Sequence, residues 1–210
     1  WRMVPPFSSA WKTSWITRGL VLAVIFIGAG AIQMAFIYWE LAPVVQIVFG
    51  VIAGIFAFLV ALYTGFVMNY VRAIPLWNSG LLPVLVVTSE ILGGFGVALA
   101  IALTIDPILM ANIVTLELGI RILLTAVAIL LVIYLWSATY ASTGGKEAVM
   151  ALMRGPRSFS IPFWIALVII GIIVPLILGW YPWAGGATHP LLFTAMACEF
   201  IGGLSLRYSM

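Results

Sequence analysis

Six apolar runs, at about residues 15 to 39, 43 to 71, 81 to 105, 112 to 140, 160 to 180 and 187 to 206, decide what this chain can become. Each is near the roughly 20 residues that a helix needs to cross the hydrocarbon of a bilayer. Lipid cannot satisfy free backbone groups, so a spanning segment is either a helix or a strand of a closed barrel. These runs are about twice the length of a barrel strand and lack its two-residue alternation. Charged residues make up 7% of the chain and hydrophobic ones 65%, whereas soluble domains carry about a quarter charged residues. The expected fold is therefore all-α and integral to the membrane: six transmembrane helices in one domain over residues 1–210, with the lipid bilayer as its surroundings and no nucleic-acid partner. The chain opens at Trp1 with a loop-like Pro/Ser/Lys stretch that has no signal-peptide pattern, so further helices are expected to precede it.

Electron-carrying groups are constrained just as tightly. Cys198 is the single cysteine and His189 the single histidine. An iron–sulfur cluster takes about four thiolates, and a membrane b-type haem ordinarily takes two histidines. Neither a haem nor a cluster, nor any other metal site, is expected within this chain, so electrons handled here must pass to a partner or a diffusible carrier.

With six spans the joints alternate between two membrane faces, and the basic residues do not alternate with them. Arg2, Lys12, Arg18, Arg72, Lys146, Arg154, Arg157 and Arg207 fall on one face; the opposite joints carry Glu40 and Asp106, and Arg121 lies within a span. The positive-inside rule makes the basic face cytoplasmic, while a docked acidic partner subunit is a second explanation. Residues 142–157 suggest a short amphipathic helix at the interface, ended by Gly155-Pro156. It is either an ordinary loop helix or a docking element. Gly50, Gly54, Gly93, Gly94, Gly96, Gly202 and Gly203 suit close helix contacts, which small residues permit in membranes.

Ionisable groups near the bilayer centre cost at least about 2.5 kcal/mol, so each is a functional candidate. Tyr63 lies about nine residues before Arg72, roughly 14 Å into the membrane at 1.5 Å per residue. Glu90 lies at a similar depth after Leu81. Helices joined by a short loop are usually antiparallel neighbours, so the phenol and the carboxyl are expected to share a cavity opening to the basic face. A quinone head group suits such a site, because Tyr, Arg or Asn can donate to its carbonyls and a carboxylate can take up a proton. Alternatively, both residues satisfy helix–helix hydrogen bonds. Glu117 and Arg121 stand at i and i+4, acid first, as a stabilising pair prefers. They read either as mutual neutralisation or, with Glu90 and the deep Glu199, as a proton route. His189 reads as an interfacial anchor beside Trp180.

Tyr63-Thr64-Gly65, then Arg72-Ala73-Ile74-Pro75-Leu76-Trp77-Asn78 and Leu81-Leu82-Pro83, resemble the NrfD/polysulfide-reductase membrane-subunit family. Gly155-Pro156, Phe163-Trp164, Gly171 with Pro175-Leu176, and Gly202-Gly203 with Leu206-Arg207-Tyr208 agree with it. The resemblance implies the last six helices of an eight-helix protein built as two four-helix bundles. It also implies a haem-free quinone-reactive anchor, using menaquinone or ubiquinone, in a prokaryotic cytoplasmic (inner) membrane. The implied partners are a 4Fe–4S iron–sulfur subunit and a catalytic, possibly molybdopterin, subunit. On this reading Tyr63, Arg72, Asn78 and Glu90 bind quinone, and Glu90, Glu117, Arg121 and Glu199 transfer protons. Arg72, Pro75, Trp77, Asn78, Lys146, Arg154 and Arg157 dock the partner. The alternatives are a passive membrane anchor and a proton- or ion-translocating subunit.

Overall fold

The computed structural model describes residues 15–70, 74–104, 113–156, 160–180 and 189–209. Arg2, Lys12, Arg72, Asp106 and Arg157 lie outside them, as does the side chain of His189. Among the described residues six helices are long and apolar enough to cross a membrane: α1 (Trp15–Tyr38), α2 (Pro43–Tyr70), α3 (Leu82–Thr104), α4 (Ile113–Ala141), α6 (Pro162–Trp180) and α7 (His189–Ser209). The shorter α5 (Thr143–Arg154) lies between α4 and α6. The all-α expectation and its six spans hold to within a few residues, because run length in hydrocarbon sets them directly.

The described residues fall into two compact units, divided between Met68 and Asn69. In the first, α1 ends in a tight reversal. Leu41 N–H donates to Phe36 O at 2.9 Å and Glu40 N–H to Ile37 O at 3.2 Å, with Glu40 in the left-handed region at φ 51°. This paired pattern satisfies the carbonyls that a helix end leaves free. The Gln46 amide adds bonds to Phe36 O (3.1 Å) and Leu41 O (2.8 Å). α1 and α2 then touch where glycines allow it: the Tyr63 ring lies on Gly19 and the Gln33 amide on Gly50.

In the second unit α3 packs on α4, α4 on the C-terminal half of α6, α6 on α7, and α7 back on α3. The four spans thus close a ring. α4 shows how both of its faces come to be apolar. Leu124, Val127, Leu131, Tyr134 and Ala138, spaced three and four apart, are buried, whereas Ile122, Ile129, Val132 and Trp136 face outward. An outward apolar face is what a lipid-facing helix needs, and it erases the polar stripe by which a soluble helix is recognised. The α6–α7 seam is the closest: a Cβ added to Gly171 would lie 2.3 Å from Gly202 Cα. The first part of α6, Pro162–Ile173, is π-helical, and Val174 N–H donates back five residues to Ile169 O. Ser205 Oγ donates to Pro162 O at 3.0 Å on the same seam.

α5 starts on Ser142, whose hydroxyl accepts from Gly145 N–H at 2.9 Å, and stops at Gly155. It buries Gly145, Val149 and Leu152 and exposes Lys146, Glu147, Met150 and Arg154. Beneath it sits the 3₁₀ turn Pro75–Trp77. Leu76 packs with Ala138 and Val149, Pro75 rests near Gly144, and the Tyr134 hydroxyl donates to Leu76 O at 2.5 Å.

Candidate functional site

The second unit places ionisable side chains at three levels along α7. Nearest its C-terminal end, Arg207 Nη2 lies 2.6 Å from Glu90 Oε1 of α3, with the arginine 62% and the glutamate 32% exposed. Glu90 was legible from depth alone; Arg207 as its partner was not, since the two stand 117 positions apart. The available signal was a cation near the end of the last span on the same face as the start of α3.

Midway along α7, about ten residues or 15 Å from either end, stands Glu199. It is 8% exposed and makes no hydrogen bond or ion pair to any described residue. Gly96 of α3 gives it room: a Cβ there would sit 3.5 Å from Glu199 Oε1. Towards the N-terminal end of α7, Arg121 Nη2 donates to Glu117 Oε2 at 2.9 Å, with exposures of 17% and 14%. That is the i,i+4 pair expected, and neutralising each other is part of what these residues do, because a buried charge needs a partner.

Two cavities connect these levels. The larger, about 390 Å³, is lined by Ser89, Glu90, Gly93, Gly94, Glu199, Gly203 and Arg207, among others. Gly93, Gly94 and Gly203 have no neighbour within 4 Å of a would-be Cβ. Expected as packing positions, they instead keep the cavity open, while Gly202 makes the close helix contact. The smaller cavity, about 30 Å³, lies between Glu117, Arg121, Gly179, Leu192 and Glu199. The first volume falls within the range of small-ligand sites; the second has room for a water molecule or two.

Tyr63 belongs to the first unit, where its ring covers Gly19 and its hydroxyl has no hydrogen-bond partner among the described residues. Glu90 belongs to the second unit. Of the docking residues, Pro75, Asn78, Lys146 and Arg154 are exposed and Trp77 is half-buried, all at the end of the second unit where α4 finishes and α3 begins. Sequence reasoning did not anticipate Tyr134, whose hydroxyl pins Leu76 of this turn.

Fold and site together define a polytopic helical membrane protein with charged groups around an intramembrane cavity. The chain belongs to the family described as polysulphide reductase, NrfD, which matches residues 12–210. It is similar to the protein NrfD of Escherichia coli (strain K12), with 27% identity over 157 residues, which is 73% of this chain and 48% of that relative. The chain thus spans about half the length of that curated relative. No solved structure gives a significant match.

Proposed function

We propose that this chain is a quinone-binding membrane subunit of a respiratory oxidoreductase in a prokaryotic cytoplasmic membrane. It exchanges electrons with a docked iron–sulfur subunit, which serves a catalytic subunit, in our reading of the molybdopterin type. The observation that carries this is the 390 Å³ cavity with Arg207 and Glu90 at its rim and Glu199 in its wall. Menaquinone or ubiquinone, when bound, supplies two-electron, two-proton chemistry between carbonyl and hydroxyl oxygens. Arg207 can donate hydrogen bonds to a carbonyl oxygen, and Glu90, half-exposed beside it, can accept or release a proton there. Gly93, Gly94 and Gly203 leave space for a flat ring. The exposed Pro75, Asn78, Lys146 and Arg154 support docking of a soluble acidic partner on the end of the unit that also carries Arg207.

In the purified complex, Glu90→Gln and Gly94→Leu should each lower quinone-linked turnover while leaving the partner's turnover with a soluble redox dye unchanged. Quinone-linked turnover unaltered in both variants would refute the site and favour a passive anchor.

A further inference from the structure

α5 is 12 residues long, too short to cross a bilayer, and its two sides differ. Gly145, Val149 and Leu152 are buried, whereas Lys146, Met150 and Arg154, at i, i+4 and i+8, form an exposed row. Met150 is 47% exposed and Met153, three residues on, 37%. We propose that Met150 and Met153 form a sulfoxidation site that controls docking on α5: their thioethers anchor the partner, and conversion to methionine sulfoxide by a hypohalous acid blocks it. The inference rests on the reading of this end of the unit as a docking surface, and adds which side chains hold the partner and what switches them.

The other described methionines are placed differently. Met34, Met68 and Met196 all lie within helices apolar enough to span the membrane, away from a water-borne oxidant. Met3, Met110 and Met210 lie outside the described residues. Packing of α5 does not require the two thioethers, because Val149 and Leu152 already supply its buried apolar side. Exposed beside cations, they suit a surface that a partner covers. An unbranched, polarisable side chain adapts to the shape it meets. Lys146 and Arg154, about 12 Å apart at 1.5 Å per residue, frame Met150 for a partner with an acidic rim. Glu147, the one acid on α5, lies to the side of this row. The seat is also held in place. Trp164 Nε1 donates to Met153 O at 3.0 Å, Ser142 Oγ accepts from Gly145 N–H at 2.9 Å, and Pro75 rests near Gly144.

In the reaction the thioether sulfur gives up two electrons and gains one oxygen. The O–Cl bond of hypochlorous acid breaks, and chloride and a proton leave. An apolar side chain becomes a polar one, and burying the new oxygen against an apolar surface costs its hydration. Methionine sulfoxide reductases reverse the change, with a dithiol oxidised to its disulfide and the oxygen leaving as water. A docked partner covers both sulfurs, so oxidation acts on the free subunit and stops assembly.

The test uses the full-length membrane subunit in nanodiscs, the soluble subunit that co-purifies with it, and stepwise additions of hypochlorous acid, with sulfoxides mapped by mass spectrometry. Met150 and Met153 should oxidise ahead of Met34, Met68 and Met196. Affinity for the soluble subunit should then fall about tenfold or more, the loss of an interface anchor, and methionine sulfoxide reductases should restore it. Met150→Leu with Met153→Leu keeps apolar side chains of similar size; whatever its starting affinity, the oxidant should not lower it further. Full affinity with both sulfoxides in place, an equal loss in the leucine variant, or oxidation of Met196 ahead of both would overturn the inference. The intact complex separates this inference from the docking reading. Sulfurs shielded there, with the oxidised subunit still binding fully, refute the switch alone. Sulfurs oxidised in the intact complex at the rate of the free subunit, with the partner retained, refute docking on α5 and the switch with it.

Discussion

Replacing Gly171 by Ala tests how the α6–α7 seam makes the site. The new Cβ would lie 2.3 Å from Gly202 Cα, and the reciprocal Gly202→Ala change would place one 2.4 Å from Gly171 Cα. Non-bonded carbons rest about 3.5–4.0 Å apart, so the two backbones must separate by more than about 1 Å. No flexible side chain stands at the contact to give way. Overpacking of this kind typically costs about 1–3 kcal/mol, and a backbone-to-backbone collision belongs at the upper end. The same displacement stretches the Ser205–Pro162 bond, now 3.0 Å. The matched control is Gly203→Ala, one residue along α7, where nothing lies within 4 Å; its stability should stay within about 0.5 kcal/mol of the parent. Reversible unfolding in mixed micelles, followed by tryptophan fluorescence of the complete protein, supplies both numbers. If Gly171→Ala matched the parent while Gly203→Ala fell by more than 1 kcal/mol, the division of glycines between packing and cavity would be wrong.

Arg207→Gln should weaken quinone binding but change stability by no more than about 1 kcal/mol, because exposed ion pairs contribute little; titration with a quinone analogue and micellar unfolding check the two halves. Arg121→Met should destabilise by about 3–5 kcal/mol by orphaning Glu117, whereas Arg121→Met with Glu117→Gln should recover most of the loss, as an unfolding double-mutant cycle would reveal. Tyr134→Phe should cost about 1–3 kcal/mol through the buried Leu76 carbonyl left without its donor. It should also loosen the Pro75–Trp77 turn, seen as faster proteolysis there.

The spans and the Glu117–Arg121 pair were legible because both are local: one depends on run length, the other on a four-residue spacing. The depth of Glu199 was legible for the same reason, standing midway in a run of known direction. Arg207 with Glu90 was not, since pairing across 117 positions depends on which helices become neighbours. Glycine identity gave no hint that Gly202 meets a backbone while Gly203 faces open space, a difference set by rotation about α7. The π-helical part of α6 leaves no trace in hydropathy, as a lipid-facing apolar run reads alike at either helical pitch.

The proposed quinone site is the cavity between Glu90, Gly93, Gly203 and Arg207. Its most direct test is photolabelling of the complete protein in membranes with a photoreactive quinone analogue, followed by peptide mapping. The predicted label falls on α3 around Gly93–Gly94 and on α7 between Gly202 and Arg207, is displaced by excess natural quinone, and is lost in Gly94→Leu. Label that is not displaced, or displaceable label confined to helices other than α3 and α7, would contradict it.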